Sequence, residues 1–183
     1  YGRTQEAQNL AITQDKRGLL YFGNSFGILE FDGRDWRFIP VKPFAWVTSL
    51  ACDNNGKIYV GSDNEFGYLA PDITGKLRYI SISKLLNKED QLFSAILKIY
   101  TSKDVVYFQS YNKLFIYRNN KLKVINPQTN FTLSFLVNDE LYIREWDRGL
   151  MKLENNSLKI IKNGNFFKDK AVFSVLAFTP AFL

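Results

Sequence analysis

The stretch DKRGLLYFG at residues 15–23 returns as DNNGKIYVG at residues 53–61. Asp, Gly, Tyr and Gly recur at a single offset, since 53 − 15 = 38. Downstream, FGIL at residues 26–29 returns as FGYL 40 residues later, which predicts a two-residue insertion within residues 61–66. A repeat of about 40 residues, built from short strands and turn residues, is typical of a propeller blade. The sequence therefore predicts an all-β fold.

Two weaker copies follow, in which VVYF at residues 105–108 and LYI at residues 141–143 keep the aromatic residue of the second strand. Apolar positions alternate between turn residues, so each copy predicts four antiparallel strands. The predicted strands are 10–14, 19–22, 27–31 and 36–39; 47–52, 57–60, 67–70 and 77–80; 95–101, 105–109, 114–118 and 122–125; 132–137, 141–144, 150–153 and 158–161. Between the second and third copies, residues 83–90 predict a helix with Ser83 as its N-cap.

These copies predict a β-propeller with four-stranded antiparallel blades at approximately residues 8–40, 46–82, 93–126 and 131–162. AVFSVLAF at residues 171–178 has the pattern of an innermost strand and predicts the start of a fifth blade at residues 170–178. Propellers usually close with about 4–8 blades, so we expect part of a larger propeller. The alternative is a small ring that the last strand completes. An open fragment is expected to dimerise, aggregate or cover its flank with residues 179–183.

The composition indicates a folded domain with a mildly basic surface. The 183 residues are 46% hydrophobic and 16% aromatic, which is enough for a core. The formal charge is +6, but the lysines are scattered over turns, so we expect a solvated surface rather than a nucleic-acid site. No apolar run approaches the ~18 residues of a membrane span. The single cysteine, Cys52, cannot form an internal disulfide and is predicted to be a small buried hydrophobe.

The residue types leave little room for catalysis. The chain contains no histidine, which removes Ser-His-Asp and Cys-His nucleophile systems and most transition-metal sites. Asp15 and Asp53 share one repeat position in a turn, where an Asp bonds its own backbone two residues on. Asp-Asn-Glu at residues 63–65 lacks the alternating ligand spacing of a calcium loop. We therefore predict a non-catalytic domain without a metal or cofactor.

One aromatic position recurs in all four copies. It is occupied by Tyr21, Tyr59, Tyr107 and Tyr142. These rings could be mistaken for a sugar-binding stripe, but a position shared by every blade is better explained by packing between neighbouring blades. A tyrosine there buries a large area and keeps a polar tip that can find a partner.

The residues that break the repeat are the candidates for ligand binding, in loops from the second to the third strand and from one blade to the next. The candidate ligand-binding residues are Trp46, Glu65, Tyr111, Trp146 and Arg148. An exposed aromatic ring beside charged groups suits stacking on a sugar ring and hydrogen bonds to its hydroxyls. The alternative is structural: Trp146 covers the blade edge, and Arg148 pairs with Glu145 or Asp147.

Two stretches resemble the two-component-regulator propeller repeat. They are ITQDKRGLLYFGN at residues 12–24, followed by GILEFDGRDW at residues 27–36, and the second copy from IYVG at residues 58–61 to EFGYL at residues 65–69. The resemblance covers residues 8 to about 153. The third and fourth copies depart from it because they lack the Asp-x-x-Gly turn, and the third also lacks the Gly before its third strand.

The resemblance implies the periplasmic sensor region of a bacterial regulator, a type found especially in the Bacteroidetes. In that family the propeller is followed by a triple-tyrosine β-sandwich, a membrane span, and a histidine kinase or helix-turn-helix output domain. The expected partners are an unknown small molecule, with an oligosaccharide as one option, the remaining blades, the triple-tyrosine domain and a second copy, but no nucleic acid. Two other functions stay open: a propeller domain of a polysaccharide-acting enzyme and a protein-interaction scaffold.

Overall fold

The structure, a computed structural model, describes residues 8–43 and 45–178, which form sixteen strands in four antiparallel sheets. Within each sheet, every strand pairs with its neighbours along the chain. The strands are β1 (Asn9–Gln14), β2 (Leu20–Asn24), β3 (Gly27–Phe31), β4 (Trp36–Ile39), β5 (Val47–Cys52), β6 (Ile58–Ser62), β7 (Glu65–Pro71), β8 (Leu77–Ser81), β9 (Lys98–Ser102), β10 (Val105–Gln109), β11 (Leu114–Arg118), β12 (Lys121–Ile125), β13 (Phe131–Val137), β14 (Glu140–Glu145), β15 (Gly149–Glu154) and β16 (Ser157–Ile160).

The four sheets are propeller blades, numbered 1 to 4 along the chain, and the first strand of each is innermost. β1 packs against β5, β5 against β9, and β9 against β13. Among the described residues, blades 1 and 4 do not close a ring. The predicted antiparallel blades around one axis are therefore confirmed, in an open arrangement. No helix in the described ranges is long and apolar enough to cross a membrane.

Each junction between neighbouring blades encloses a core, built from alternate side chains of the two facing sheets. Between blades 2 and 3, the fully buried Phe66 ring lies 4.6 Å from the Phe108 ring and 4.7 Å from the Phe115 ring, between centroids. The junction of blades 1 and 2 is built by the buried residues Tyr21, Ile28, Ile39, Val47, Ile58, Val60 and Leu69. The junction of blades 3 and 4 is built by Val105, Leu114, Ile116, Phe131, Leu141, Ile143 and Met151.

The recurring tyrosine packs between blades in three of its four copies. Tyr21 and Tyr59 are buried in the cores of the first two junctions, and Tyr107 packs against the third. Burial raises the pKa of all three phenols above the ordinary value. Tyr142 differs because its face of blade 4 meets no further blade in the structure, and its hydroxyl donates instead to Glu140 at 2.9 Å.

The predicted two-residue insertion in the loop of residues 61–66 is wrong. Both hairpins have two-residue turns: Asn24 pairs with Gly27 in blade 1, and Ser62 pairs with Glu65 in blade 2. The 38-residue offset therefore persists into the third strand. The two extra residues lie at the end of β7, which has seven residues where β3 has five. The repeated Phe-Gly pair misled the alignment because it sits at different register positions in the two blades.

The predicted helix at residues 83–90 is also wrong. The segment forms two 3-10 turns, Ser83–Leu85 and Lys88–Asp90, separated by extended backbone at Leu86 and Asn87. The residue at the N-cap position is Ile82, and the Ser83 hydroxyl donates to the Glu65 carboxylate instead of capping a helix. The Ser83 hydroxyl therefore donates to a carboxylate distant in sequence, instead of accepting a backbone N–H group at the start of a helix.

Residues 171–178 do not form the predicted innermost strand. The segment makes no ladder pair, and its apolar side chains Phe173, Leu176 and Phe178 are exposed. A β-strand needs a neighbouring strand to accept its backbone hydrogen bonds, and no described strand pairs with this segment. The C-terminal cover proposed for residues 179–183 lies outside the described residues.

The repeated Asp residues are turn residues, as predicted. In each turn one carboxylate oxygen accepts two backbone N–H groups: those of Arg17 and Leu19 for Asp15, and those of Asn55 and Lys57 for Asp53, at 2.8–3.1 Å. The glycines of these turns, Gly18 and Gly56, have φ of 89° and 82°, which explains the Asp-x-x-Gly spacing. Cys52 is only partly buried, at the edge of the first junction, rather than fully buried as predicted.

Candidate functional site

Hydrogen bonds connect the loops at one end of the blades into a continuous surface, here called the loop face. It comprises the turns between second and third strands and the connections between blades. The bonds run between consecutive loops: Lys42 Nζ to Asn64 O, Phe93 N to Asn64 Oδ1, Ser94 N to Asn112 Oδ1, Phe131 N to Tyr111 O, and Trp146 N to Asn130 O, at 2.7–3.5 Å. This surface contains all five candidate ligand-binding residues.

Four half-exposed aromatic rings are distributed over the loop face. Their exposed fractions are 52% for Phe26, 50% for Trp46, 51% for Tyr111 and 55% for Trp146. Three of these rings, Trp46, Tyr111 and Trp146, are candidate ligand-binding residues from the sequence. Phe26 was not among the predicted residues, although its place in the two-residue turn between β2 and β3 is a loop position of the same kind. Rings held half-exposed on rigid hairpins can stack on a ligand at a low cost in conformational entropy.

The Trp146 ring is held in place by a buried cation. The Arg144 guanidinium lies 4.9 Å from the centre of the Trp146 ring, within the range of a cation–π contact. Arg144 is 1% exposed and donates to the backbone carbonyls of Phe167 (2.9 Å) and Lys168 (2.7 Å). The guanidinium therefore fixes both the ring and the connection that follows blade 4. One part of the ring remains open to solvent.

Arg148 pairs with one of the two carboxylates that the sequence offered, Glu145 and Asp147. Its Nη1 lies 3.2 Å from Glu145 Oε2, so the pair is Arg148–Glu145. Glu145 is 1% exposed, and its other oxygen accepts the backbone N–H groups of Gln128 and Thr129. A buried carboxylate with these donors locks the connection between blades 3 and 4. Arg148 thus stabilises this connection through its ion pair with Glu145, and part of its side chain remains exposed on the loop face.

Glu65 organises the loop face of blade 2. Its Oε1 accepts three hydroxyl groups, from Tyr79 (2.8 Å), Ser81 (2.6 Å) and Ser83 (2.5 Å). Burial, followed by the adjacent Glu65 carboxylate, raises the pKa of Tyr79 far above its ordinary value. This cluster ties β7, β8 and the following connection together, so Glu65 positions the loop.

A depression of about 230 Å³ opens beside Glu65 on the loop face. It is lined by Asn64, Glu65, Ser83, Lys84, Leu86, Gln91 and Phe93. Carboxylate, amide, hydroxyl and ammonium groups around a Phe93 ring provide donors and acceptors for a polar ligand about the size of one sugar unit. The other four candidates, Trp46, Tyr111, Trp146 and Arg148, do not line this depression. The predicted residues therefore lie along the loop face and do not converge on one pocket.

The arrangement favours stacking and hydrogen bonding. Among the residues that the structure describes, no group of three or more His, Cys, Asp or Glu side chains could hold a metal ion. The carboxylates of Glu65 and Glu145 are each engaged by several donors within the loop face.

No family model and no curated protein matches this chain. Solved structures do match. Virginiamycin B lyase from Staphylococcus aureus has a TM-score of 0.64 at 15% identity, over 84% of this chain and 58% of that chain. The WD40 β-propeller domain of Doa1 has a TM-score of 0.60 at 9% identity, over 84% and 53%. The chain is a β-propeller.

A further match is the extracellular domain of a protein assigned as a hybrid two-component system, BT3049 of B. thetaiotaomicron. Its TM-score is 0.60 at 21% identity, over 86% of this propeller and 25% of that chain. A second extracellular domain from the same organism, that of BT4673, has a TM-score of 0.61 at 19% identity, over 87% and 22%. The propeller thus spans 58% or less of each of these four solved chains.

Proposed function

We propose that this propeller is the non-catalytic, ligand-sensing domain of a bacterial two-component-type regulator, located in the periplasm. The observation that carries the proposal is the set of half-exposed aromatic rings on one hydrogen-bonded loop face. The similarity to extracellular domains of two-component systems supports the location. The ligand is a small molecule with apolar ring faces and hydroxyl groups, for which an oligosaccharide is the leading candidate.

In this mechanism, a ligand spans more than one blade of the loop face. Stacking on Trp146 or Tyr111 provides affinity, and amide and carboxylate groups beside Glu65 provide specificity. Because consecutive loops are hydrogen-bonded, a ligand that contacts two of them favours one arrangement of neighbouring blades over another. Further blades, a triple-tyrosine domain and a membrane span elsewhere in the full-length protein would transmit that bias to an output domain.

Calorimetric titration of the purified chain with a panel of plant and microbial oligosaccharides tests the binding step. We expect at least one oligosaccharide to bind, and Trp146→Ala to weaken it about tenfold or more through loss of a stacked ring. Trp36→Ala is the matched control, because Trp36 is 46% exposed but lies at the opposite end of blade 1. A panel without any binder, or affinities unchanged in Trp46→Ala, Tyr111→Ala and Trp146→Ala, would contradict the proposal.

The enzyme alternative draws on the similarity to virginiamycin B lyase. A histidine-to-alanine variant of that lyase is catalytically inactive, and this chain contains no histidine. We therefore propose no turnover by this chain. Incubation with the same oligosaccharides, followed by mass spectrometry, should show no new products. Products that disappear in a Glu65→Gln variant would favour the enzyme instead.

The complete reading frame of the gene would distinguish a sensor domain from an interaction scaffold or an enzyme domain. A downstream membrane span and a histidine kinase or helix-turn-helix domain would support the regulator. Tandem interaction domains without a membrane span would support the scaffold, and a catalytic module would support the enzyme.

A further inference from the structure

The recurring tyrosine differs among the four blades in what its hydroxyl contacts. In three blades the hydroxyl donates to a carboxylate of the same blade, at 3.3, 3.4 and 2.9 Å, in the pairs Tyr21–Asp15, Tyr59–Asp53 and Tyr142–Glu140. In blade 3 the Tyr107 hydroxyl makes no hydrogen bond to any described residue, although burial raises the pKa of this phenol and keeps its proton in place. Blade 3 therefore lacks an acceptor that the repeat otherwise provides.

The turn that precedes the tyrosine strand explains the missing acceptor. In blades 1 and 2 this turn is the Asp-x-x-Gly loop, whose aspartate reaches the hydroxyl. In blade 3 the two-residue turn 103–104 joins β9 and β10 instead. The two carboxylates that influence Tyr107 are those of Asp104 and Asp139. Asp104 lies 3.2 Å from Arg118, and Asp139 accepts the Ser102 hydroxyl at 2.8 Å, so both have other partners.

Tyr107 lines a groove of about 310 Å³ between blades 3 and 4, at the end opposite the loop face. Its apolar lining includes the buried residues Val105 and Ile116. The polar residues that line it are Arg118, Asn119, Lys121, Lys123 and Asn156. The volume is at the lower end of the ~300–1,000 Å³ typical of small-molecule sites. Both blades that form the groove lie within the described residues, so the site does not depend on a neighbouring blade.

The groove is positively charged, and no acidic side chain is among the described residues that line it. The Arg118 pair with Asp104 is weak, because both side chains are 58% exposed. Lys123 Nζ donates across the groove to the backbone carbonyl of Asn156 at 2.9 Å, and this neutral acceptor leaves the charge of the ammonium group in place. Lys121 is exposed at the same groove. The groove thus combines a hydroxyl donor with cations that lack an anion.

We propose that this groove binds a small organic carboxylate, which supplies to blade 3 the acceptor that an Asp or Glu side chain supplies to the other three blades. The carboxylate accepts from the Tyr107 hydroxyl and is balanced by Lys121 and Lys123. The apolar part of the ligand lies against Val105 and Ile116. Because the groove is small and open to solvent, we expect a dissociation constant on the order of 1 mM. The site is separate from the sensing surface on the loop face.

NMR titration of the purified chain with hexanoate and benzoate tests the proposal, with the uncharged hexanamide and benzamide as matched ligands. We expect at least one acid to shift the backbone signals of β10 and of the turns at residues 119–120 and 155–156, and its amide to bind at least fivefold more weakly. Equal binding of acid and amide, or shifts confined to the loop face, would overturn the proposal. Failure of oligosaccharide binding at the loop face would leave this result unaffected.

Removal of the hydroxyl isolates the contact that blade 3 leaves open. Tyr107→Phe should weaken binding of the acid about fivefold. Tyr142→Phe is the matched control, because Tyr142 occupies the same repeat position but its hydroxyl already donates to Glu140. Circular dichroism checks that both variants are folded. The same affinity in the wild type and in Tyr107→Phe would overturn the proposal.

The cations provide a second pair of variants. Lys123→Gln should weaken binding of the acid about threefold, and added salt should weaken binding by the wild type. Lys159→Gln is the control, because Lys159 occupies the equivalent position on the outer strand of blade 4, away from the groove. Lysines on outer strands also hinder edge-to-edge pairing. If that were their only role, neither acid would bind at about 20 mM, and this result would overturn the proposal.

Discussion

The blade 1–2 junction and the opposite face of blade 1, here called the blade-1 free face, are built from the same repeat positions and have opposite environments. Ile58 in blade 2 is 2% exposed because blade 1 covers it. Leu20, its counterpart 38 residues earlier, belongs to the blade-1 face that points away from blade 2, formed with Ile12, Phe22, Leu29, Phe31, Trp36 and Phe38, and no other described sheet covers that face. The repeat thus specifies apolar side chains at sheet-to-sheet contacts, and neighbouring sheets decide which of these become core. Substitutions at matched positions should separate the two environments.

The largest difference is expected for phenylalanine truncation. Phe66→Ala removes a fully buried ring packed on Phe108 and Phe115, and should lower the free energy of unfolding by about 3–5 kcal/mol. Phe38→Ala on the free face, 50% exposed, should cost less than about 1 kcal/mol in the monomer. Urea unfolding at low protein concentration measures both. Equal losses would mean that the free face is covered within the monomer.

Isoleucine truncation sharpens the comparison with identical side chains. Ile58→Ala leaves a cavity at the first junction, and should lower the free energy of unfolding by about 2–4 kcal/mol. Ile12 is 60% exposed, so Ile12→Ala should stay within about 0.5 kcal/mol of the wild type. Thermal unfolding followed by circular dichroism reports both. A loss at Ile12 as large as at Ile58 would show that β1 packs against a surface other than blade 2.

The Asp15 turn predicts a smaller, pH-dependent effect on blade 1. Burial acts to raise the pKa of Asp15, but hydrogen bonds from the Arg17 side chain and the Arg17 and Leu19 backbone outweigh it, so the pKa lies below its ordinary 3.8. The ionised carboxylate therefore stabilises the fold above pH 3.8, and this stabilisation is lost as the pH falls through the lowered value. Asp15→Asn should destabilise the protein near neutral pH and flatten the acid side of its stability profile. Parallel acid profiles for variant and wild type would contradict this reading.

The smallest effect is expected on the face of blade 4 that points away from blade 3. Lys152→Ala breaks the partly exposed pairs with Glu140 and Glu154, and should leave the unfolding midpoint unchanged within error at physiological salt. The same measurement at low salt should reveal at most a slight loss. A large loss would show that these ion pairs are buried by another surface, in contrast to their partial exposure in the structure.

The sequence predicted the fold closely because each blade consists of strands that are consecutive in the chain. Adjacent strands are joined by short turns, so alternating apolar residues and Asp-x-x-Gly or Asn-Asn turns specify the sheets without long-range information. The five ligand-site candidates were chosen from loop positions, and all five lie on the loop face. Phe26 also lies on this face, in the turn between β2 and β3, but was not among the candidates, because the aromatic residues chosen from sequence were Trp46, Tyr111 and Trp146.

The sequence alone determined the period, the antiparallel sheets and the apolar character of their faces, because these depend on residues close in the chain. Only the tertiary structure decided the contacts that bring distant segments together. The Ser83 hydroxyl, which the sequence predicted as a helix N-cap, donates instead to Glu65. Arg148 forms an ion pair with Glu145. The segment predicted as a strand at residues 171–178 pairs with none of the described strands. Each outcome depended on which donor or sheet lay opposite in space, and local pattern does not encode that geometry.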